Sequence, residues 1–331
     1  MIPATARSGV YYAVRTLAGV SLTVSPVALS RLAFASVVAN VGIVVTGAAV
    51  RLTGSGLGCP TWPRCTAESY TTTAEMGIHG AVEFGNRLLT FVLGAIALAG
   101  FLGALLQRRR RRSLVLLSLA ILLGIPGQGV IGGITVLTNL NPWVVGLHFL
   151  LSMALIAGAY AFWRRVRDGD GPARPVVPAP LRTLVQLTAL VSAAVIVVGV
   201  VVTGSGPHSG DGGAKRNGLD QENISQVHAD LVFLLVGLSV ALWFALRAVH
   251  APPAAVRAAG VLVLVELSQG LIGFVQYFTG LPVVLVGAHM LGACLVWLAT
   301  LAVIWNARER VTADVPAAPD SRVELSSPVL R

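Results

Sequence analysis

Six histidines occur in the 331-residue chain, and four of them lie where an ionisable side chain is costly. His79, His148, His228 and His289 each sit two to seven residues inside one end of a long apolar segment. Ionisable residues in such segments are usually functional. His208 and His250 fall in polar connections and act as internal controls. A single intramembrane histidine is as often a packed, hydrogen-bonded residue as a ligand; four at similar depth are a pattern. Two imidazoles on facing helices are too few for zinc, which takes four ligands. They suit heme iron, where the porphyrin supplies four nitrogens and the protein the axial ones. Two pairs imply two hemes near one membrane face. Gly77, Gly80, Gly146 and Gly287 lie close by and would let helices and ring approach.

Glu83 follows His79 by four residues, one helical turn deeper on nearly the same face. A carboxylate there would stand beside a ring held by His79. Matching His79-Gly-Ala-Val-Glu83-Phe84 to His228-Ala-Asp-Leu-Val232-Phe233 puts Val232 opposite Glu83. One half thus has an acid near its heme and the other does not, which suggests one catalytic site and one electron-transfer or structural site. The competing reading is an i, i+4 ion pair of Glu83 with Arg87. Arg51 and Arg87 are candidates for pairing with heme propionates, or for snorkelling anchors. Glu266, three residues before Gln269, is a second intramembrane acid, read as a polar contact in the second bundle. Cys59 and Cys65, with five residues between them, would pair in an oxidising compartment, whereas Cys294 stands alone in an apolar run.

The elements that must carry these residues are membrane helices. The chain is 55% hydrophobic and 11% charged, against about 25% charged in a soluble domain. Eight segments reach the ~20 apolar residues that a span requires: 31–52, 77–106, 113–136, 142–163, 182–203, 225–248, 258–279 and 283–305. Of 24 Lys and Arg residues, five (Arg51, Arg64, Arg87, Lys215, Arg216) fall on one side of an eight-span arrangement, leaving 19 on the other with both termini. Arg108 to Arg112 make up the densest run. That asymmetry predicts cytoplasmic termini, with the loop of Cys59 and Cys65 facing outward. It also accounts for the net charge of +10 without nucleic acid. No signal peptide is evident, and residues 1–30 read as a cytoplasmic tail.

The chain repeats itself. Gln128-Gly-Val-Ile-Gly132 recurs as Gln269-Gly-Leu-Ile-Gly273, and twenty residues after each Gln comes a histidine, His148 or His289. Thr53-Gly-Ser-Gly56 recurs as Thr203-Gly-Ser-Gly206, followed 26 and 25 residues on by His79 and His228. The fold expected is therefore an all-α integral membrane protein, with eight transmembrane helices as two parallel-repeat four-helix bundles. The bundles span 31–165, with an outer cysteine loop at 53–76, and 182–306. A cytoplasmic linker at 166–181 joins them, and a cytoplasmic tail at 307–331 follows.

Together these features resemble the heme A synthases, in their actinobacterial form. The resemblance rests on Arg51-Leu-Thr-Gly-Ser-Gly-Leu-Gly-Cys59-Pro-Thr-Trp62-Pro-Arg-Cys65, Glu83-Phe-Gly-Asn86-Arg87, the two Gln-Gly-x-Ile-Gly runs and the four histidines, over residues 31–305. It implies oxidation of the C8 methyl of heme O to a formyl group, giving heme A for terminal oxidases. It implies a heme b cofactor between His228 and His289, substrate heme O near His79, His148 and Glu83, a catalytic role for Glu83, and a Cys59–Cys65 disulfide. The family's commoner pattern has histidine three residues after the glutamate. Here that position is Asn86, so the expected ligand is His79, with Asn86 as the competing occupant or a hydrogen-bonding residue. The heme O synthase (a farnesyltransferase) is a plausible partner. The sequence names no electron acceptor and leaves self-association open. The competing function is a diheme membrane cytochrome in quinone-linked electron transfer, which gives Glu83 and the cysteine loop no task. A heme transporter or chaperone shares that weakness.

Overall fold

The computed structural model describes residues 23–311. The tails expected at 1–30 and 307–331 lie mostly outside those residues. Among the described residues, eight helices are long and apolar enough to cross a membrane. They are α1 (Pro26–Leu52), α2 (Gly77–Leu105), α3 (Arg112–Leu137), α4 (Pro142–Asp168), α5 (Ala179–Ser205), α6 (Gln221–Ala248), α7 (Pro253–Phe278) and α8 (Val283–Asn306). The chain is thus a multi-pass membrane protein with all eight expected spans.

The helix starts are dictated locally. Proline occupies the first turn of α1, α4 and α5, where its missing N–H costs no hydrogen bond. Ser25, Asn141 and Asp220 cap α1, α4 and α6 by accepting from Ala28, Trp143 and Asn223 backbone N–H groups. Large apolar side chains such as Phe91 and Phe278 stay exposed, as lipid-facing positions require.

Among α1–α4, α1 packs on α2 and α4, and α3 packs on α2 and α4. Among α5–α8, α5 packs on α6 and α8, and α7 packs on α6 and α8. Each set has its own buried cluster, one around Leu29, Leu93, Ile121 and Phe162, the other around Val185, Leu242, Leu262 and Val303. A third cluster of Val44, Met153, Ile156, Ile196 and Cys294 forms the seam between them. The Trp297 indole N–H crosses that seam to the Met153 carbonyl at 3.0 Å.

One feature departs from the sequence reading. Residues 173–175 (β1, Ala173–Pro175) pair antiparallel with β2 (Arg308–Arg310), so linker and tail form a small ribbon instead of free connections. Asp170 anchors this corner. It accepts from Arg111 Nε at 2.9 Å, Ser113 Oγ at 2.5 Å and Arg165 Nη1 at 3.3 Å. The Arg111 hydrogen bond in particular draws the Asp170 carboxyl down to about 2. Arg111, one of the topology-setting run, is therefore also a structural staple.

Candidate functional site

Two sites emerge, one in each set of four helices. In α5–α8, His228 and His289 face each other with ring centroids 6.5 Å apart. The Nδ1 atoms of both are buried without a partner. Each ring abuts a glycine. A Cβ at Gly199 would come within 3.0 Å of His228 Cε1, and one at Gly273 within 3.3 Å of His289 Cε1. The Gln-Gly-x-Ile-Gly run now has a purpose. Gln269 Nε2 donates to the carbonyl of His289 at 2.7 Å, and Gly273, one turn on, clears the imidazole. The first run does the same: Gln128 Nε2 donates to the His148 carbonyl at 3.1 Å, and Gly132 abuts the His148 ring.

Among the described residues no group of three or more His, Cys, Asp or Glu is placed to hold a metal ion. Two opposed imidazoles instead fit a metal whose remaining ligands come from a macrocycle. With metal–nitrogen bonds of about 2 Å, imidazole centroids on opposite sides of one ion lie roughly 6 Å apart, near the separation of His228 and His289. Buried, unpaired ring nitrogens cradled by glycine fit such a group.

The first set differs in register. His148 and His289 are each the seventh residue of their helix. His228 lies 20 residues from the far end of α6; Asn86 lies 19 from that of α2, and His79 lies 26. Asn86 also neighbours α1 as His228 neighbours α5. Its Oδ1 accepts from Thr46 Oγ1 at 2.7 Å, beside Gly47. Asn86, and not His79, thus stands at the depth of His228. His79 is exposed near the start of α2, with Nδ1 2.9 Å from Ser55 Oγ. Among the described residues no ring contact joins His79 to His148, and His79 lies nearer the start of its helix than His148, His228 and His289 do.

Glu83 is 6% exposed and faces the cysteine loop. Its Oε2 accepts the Cys59 backbone N–H at 2.7 Å, and its Oε1 pairs with Arg87 Nη2 at 2.5 Å. The ion pair weighed against a catalytic Glu83 is therefore present. Arg87 also donates to the carbonyls of Cys59, Thr61 and Arg64 at 3.0 to 3.2 Å. Cys59 and Cys65 form a disulfide with Cα atoms 4.4 Å apart. Gly58 lies so close to the His79 carbonyl that any side chain would collide with it. Trp62 closes the loop over α3 by lying on Gly133, next to the Gly132 that abuts His148.

Arg51 serves elsewhere. Its Nε donates to the His208 carbonyl at 2.5 Å and its Nη2 to the Thr203 carbonyl at 2.7 Å. Both arginines weighed as propionate partners or snorkelling anchors are engaged by protein acceptors. The controls behave as controls: His208 caps a loop contact with the Leu281 carbonyl, and His250 lies in a turn. Sequence reading missed Ser55, Trp62 with Gly133, and the Thr46–Asn86 bond. Signals were there for some of these: Ser55 lies in the repeated Thr-Gly-Ser-Gly motif, Trp62 is an aromatic inside the cysteine loop, and Asn86 stood at a ligand position.

Residues 30–207, more than half of the chain, match the family described as cytochrome oxidase assembly protein, COX15-CtaA. The chain belongs to this family. Among relatives, it is similar to the heme A synthase of Alkalihalophilus pseudofirmus, 31% identical over 38% of this chain and 43% of that protein. The heme A synthase of Geobacillus kaustophilus is 29% identical over 42% of this chain and 46% of its own length. That of Methylobacterium sp. strain 4-46 is 27% identical over 82% and 89%. The chain spans less than half the length of the first two relatives and most of the third. In a cytochrome oxidase assembly protein, an acid buried under a disulfide loop and a histidine pair in separate helix sets is a division of labour that can be read chemically.

Proposed function

We propose that this protein is a heme A synthase that oxidises the C8 methyl of heme O to a formyl group, by successive hydroxylations and dehydration, for terminal oxidase assembly. The observation that carries this reading is the unequal pair of sites. One set of helices presents two opposed imidazoles. The other presents one imidazole at the same depth, His148, and a buried carboxylate under a closed loop. A resident group needs firm, two-sided ligation; a substrate that enters and leaves does not.

In this reading His228 and His289 hold heme b. When bound, that heme supplies one-electron redox chemistry. His148 ligates heme O, with Gln128 fixing the backbone from which it projects. His79, the second ligand expected from sequence, is proposed instead to brace the loop through Ser55. Asn86 lines the face opposite His148. Glu83 accepts or holds a proton near the methyl group, and the Cys59 N–H, Arg87 and the disulfide loop keep it in place and water out. The helices form two parallel repeats, the membrane is the cell membrane, and both termini are cytoplasmic, following the arginine asymmetry.

The test is expression of wild type and Glu83→Ala in a host that makes heme O but lacks its own synthase, followed by identification of extracted hemes by chromatography and mass. The reading expects heme A from wild type, and heme O or a hydroxylated intermediate with heme b retained from the variant. Heme b alone, with heme O untouched by correctly inserted wild type, refutes it in favour of the diheme cytochrome.

A further inference from the structure

Glu266 is used by nothing described so far. It sits near the middle of α7, 3% exposed, and is in no ion pair among the described residues. Ser239 on α6 donates to its Oε1 at 2.8 Å, and its Oε2 is buried without a partner. The elements packed on α7 are α6 and α8. Their ionisable groups are Glu222, His228, Asp230 and Arg247 on α6, and His289 and Cys294 on α8; α7 itself adds Arg257 and Tyr277. None of them bonds to Glu266. With no fixed cation beside it, its protonation follows any charge that changes nearby.

Its surroundings are not uniform. Glu266, Gln269, Gly273 and Gln276 are spaced three, four and three residues apart, which puts them on one face of α7. Gln269 and Gln276 each bury an Oε1 with no partner. Three orphaned oxygens on one stripe are unusual, since buried acceptors are normally satisfied by protein or water. The stripe runs about 15 Å from mid-helix to the end of α7 on the cysteine-loop side, passing Gly273, where His289 rests. The first set of helices lacks the acid, because the residue three before Gln128 is Ile125.

We propose that Glu266 is a proton-exchange residue for the redox group held by His228 and His289, connected to the cysteine-loop face by a hydrated track along Gln269 and Gln276. This rests on the heme reading above. When a heme held there gains an electron, from dithionite in the assay, the Glu266 carboxylate would bind one proton from the aqueous phase on that face; when ferricyanide takes the electron back, the proton would return to that phase. Glu266 thereby keeps the net charge of a buried region constant, which lowers the cost of moving an electron into it.

The test is a spectroelectrochemical titration of the second-site heme in the full-length, heme-loaded protein at a series of pH values. Wild type is expected to show a window in which the reduction equilibrium changes up to tenfold per pH unit, about 59 mV for one electron. Glu266→Gln is expected to abolish that slope with the heme retained, and Gln276→Leu to slow the response to a pH jump without altering the slope. A slope that persists in Glu266→Gln, or is missing from wild type, overturns the proposal. If Glu266→Gln fails to hold heme, Ser239→Ala decides, because it leaves the acid but removes its donor. A window displaced along the pH axis supports the proposal, and an unmoved one overturns it. A heme spectrum indifferent to His289→Ala refutes the heme reading itself, and is distinct from a bound heme with a flat potential, which sinks only this inference.

Discussion

Arg87 ties four acceptors together, and its removal has a calculable consequence. In Arg87→Met, Glu83 keeps only backbone N–H partners, chiefly that of Cys59, and the carbonyls of Cys59, Thr61 and Arg64 lose their shared donor. The Arg87 side chain is 21% exposed and that of Glu83 7%, so the pair is mostly shielded from water. Breaking such a pair by removing one member costs about 3 kcal/mol, chiefly through the charge left behind. The loss falls on the docking of the loop, so the population of loop-open molecules should rise about a hundredfold. Both cysteines are fully buried, so dithiothreitol reaches the disulfide only from the open form. The rate of reduction, read as alkylated mass in purified full-length protein, then reports opening directly. Glu83→Gln in the same chain removes the stranded charge and should recover about tenfold of the protection, leaving the lost carbonyl contacts. A reduction rate in Arg87→Met within threefold of wild type would refute the clamp. A double variant no slower than the single one would show that stranded charge is not the penalty.

Other outcomes follow from the same geometry. His148→Ala should abolish heme binding in the first site, whereas His79→Ala should retain most of it; heme content and absorbance of each purified variant decide, and equal loss would restore His79 as a ligand. Asn86→His places an imidazole at the depth of His228 and should give the first site a two-histidine spectrum with slower release of its heme. Gly133→Val should expel Trp62 and expose the loop to protease, since overpacking of this kind costs about 1–3 kcal/mol. The depressed Asp170 carboxyl stabilises the ribbon at pH values above its ordinary range, near 3.8, and that contribution is lost as pH falls through about 2. The Asp170 side chain is 36% exposed, so solvent screening holds the effect under about 1 kcal/mol. Amide exchange at Ala173 and Arg174 in wild type and Asp170→Asn should differ at pH 5 and converge at the acid end.

The eight spans were legible because a run of apolar residues long enough to cross a membrane has few other fates. Their ends were less so. Helix α4 continues to Asp168, five residues past its expected limit, because Arg164 and Trp305 bond that carboxylate. The ribbon of β1 and β2 joins strands more than 130 residues apart through backbone groups, which side-chain patterns do not announce. Within the sites, the repeated Gln, Gly and His were visible as a pattern, but not the clasp they form. Matching His79 to His228 followed residue type. The register of α2 follows helix packing, and the outer loops differ enough to shift the sequence offset between halves. Arg51 and Arg87 looked like candidates for an anionic ligand because sequence shows a charge but not the carbonyls that claim it.

The Arg51 contacts bear on how the protein is made. Its acceptors, the carbonyls of Thr203 and His208, come 152 and 157 residues later in the chain. The neighbouring Gly56 N–H reaches the Gly210 carbonyl at 2.8 Å. While the ribosome is still delivering α2, α3 and α4, the cysteine loop can close on α2 and α3, but Arg51 at the end of α1 and the Gly56 N–H have no acceptors yet. The base of the loop gains these last contacts only once α5 has been threaded through the membrane and the following connection has folded back. Oxidation of Cys59 and Cys65 can precede that moment, but seating cannot. The base of the first site's loop is thus completed by the second half of the chain, so it closes fully only as the histidine pair of α6 and α8 is being made.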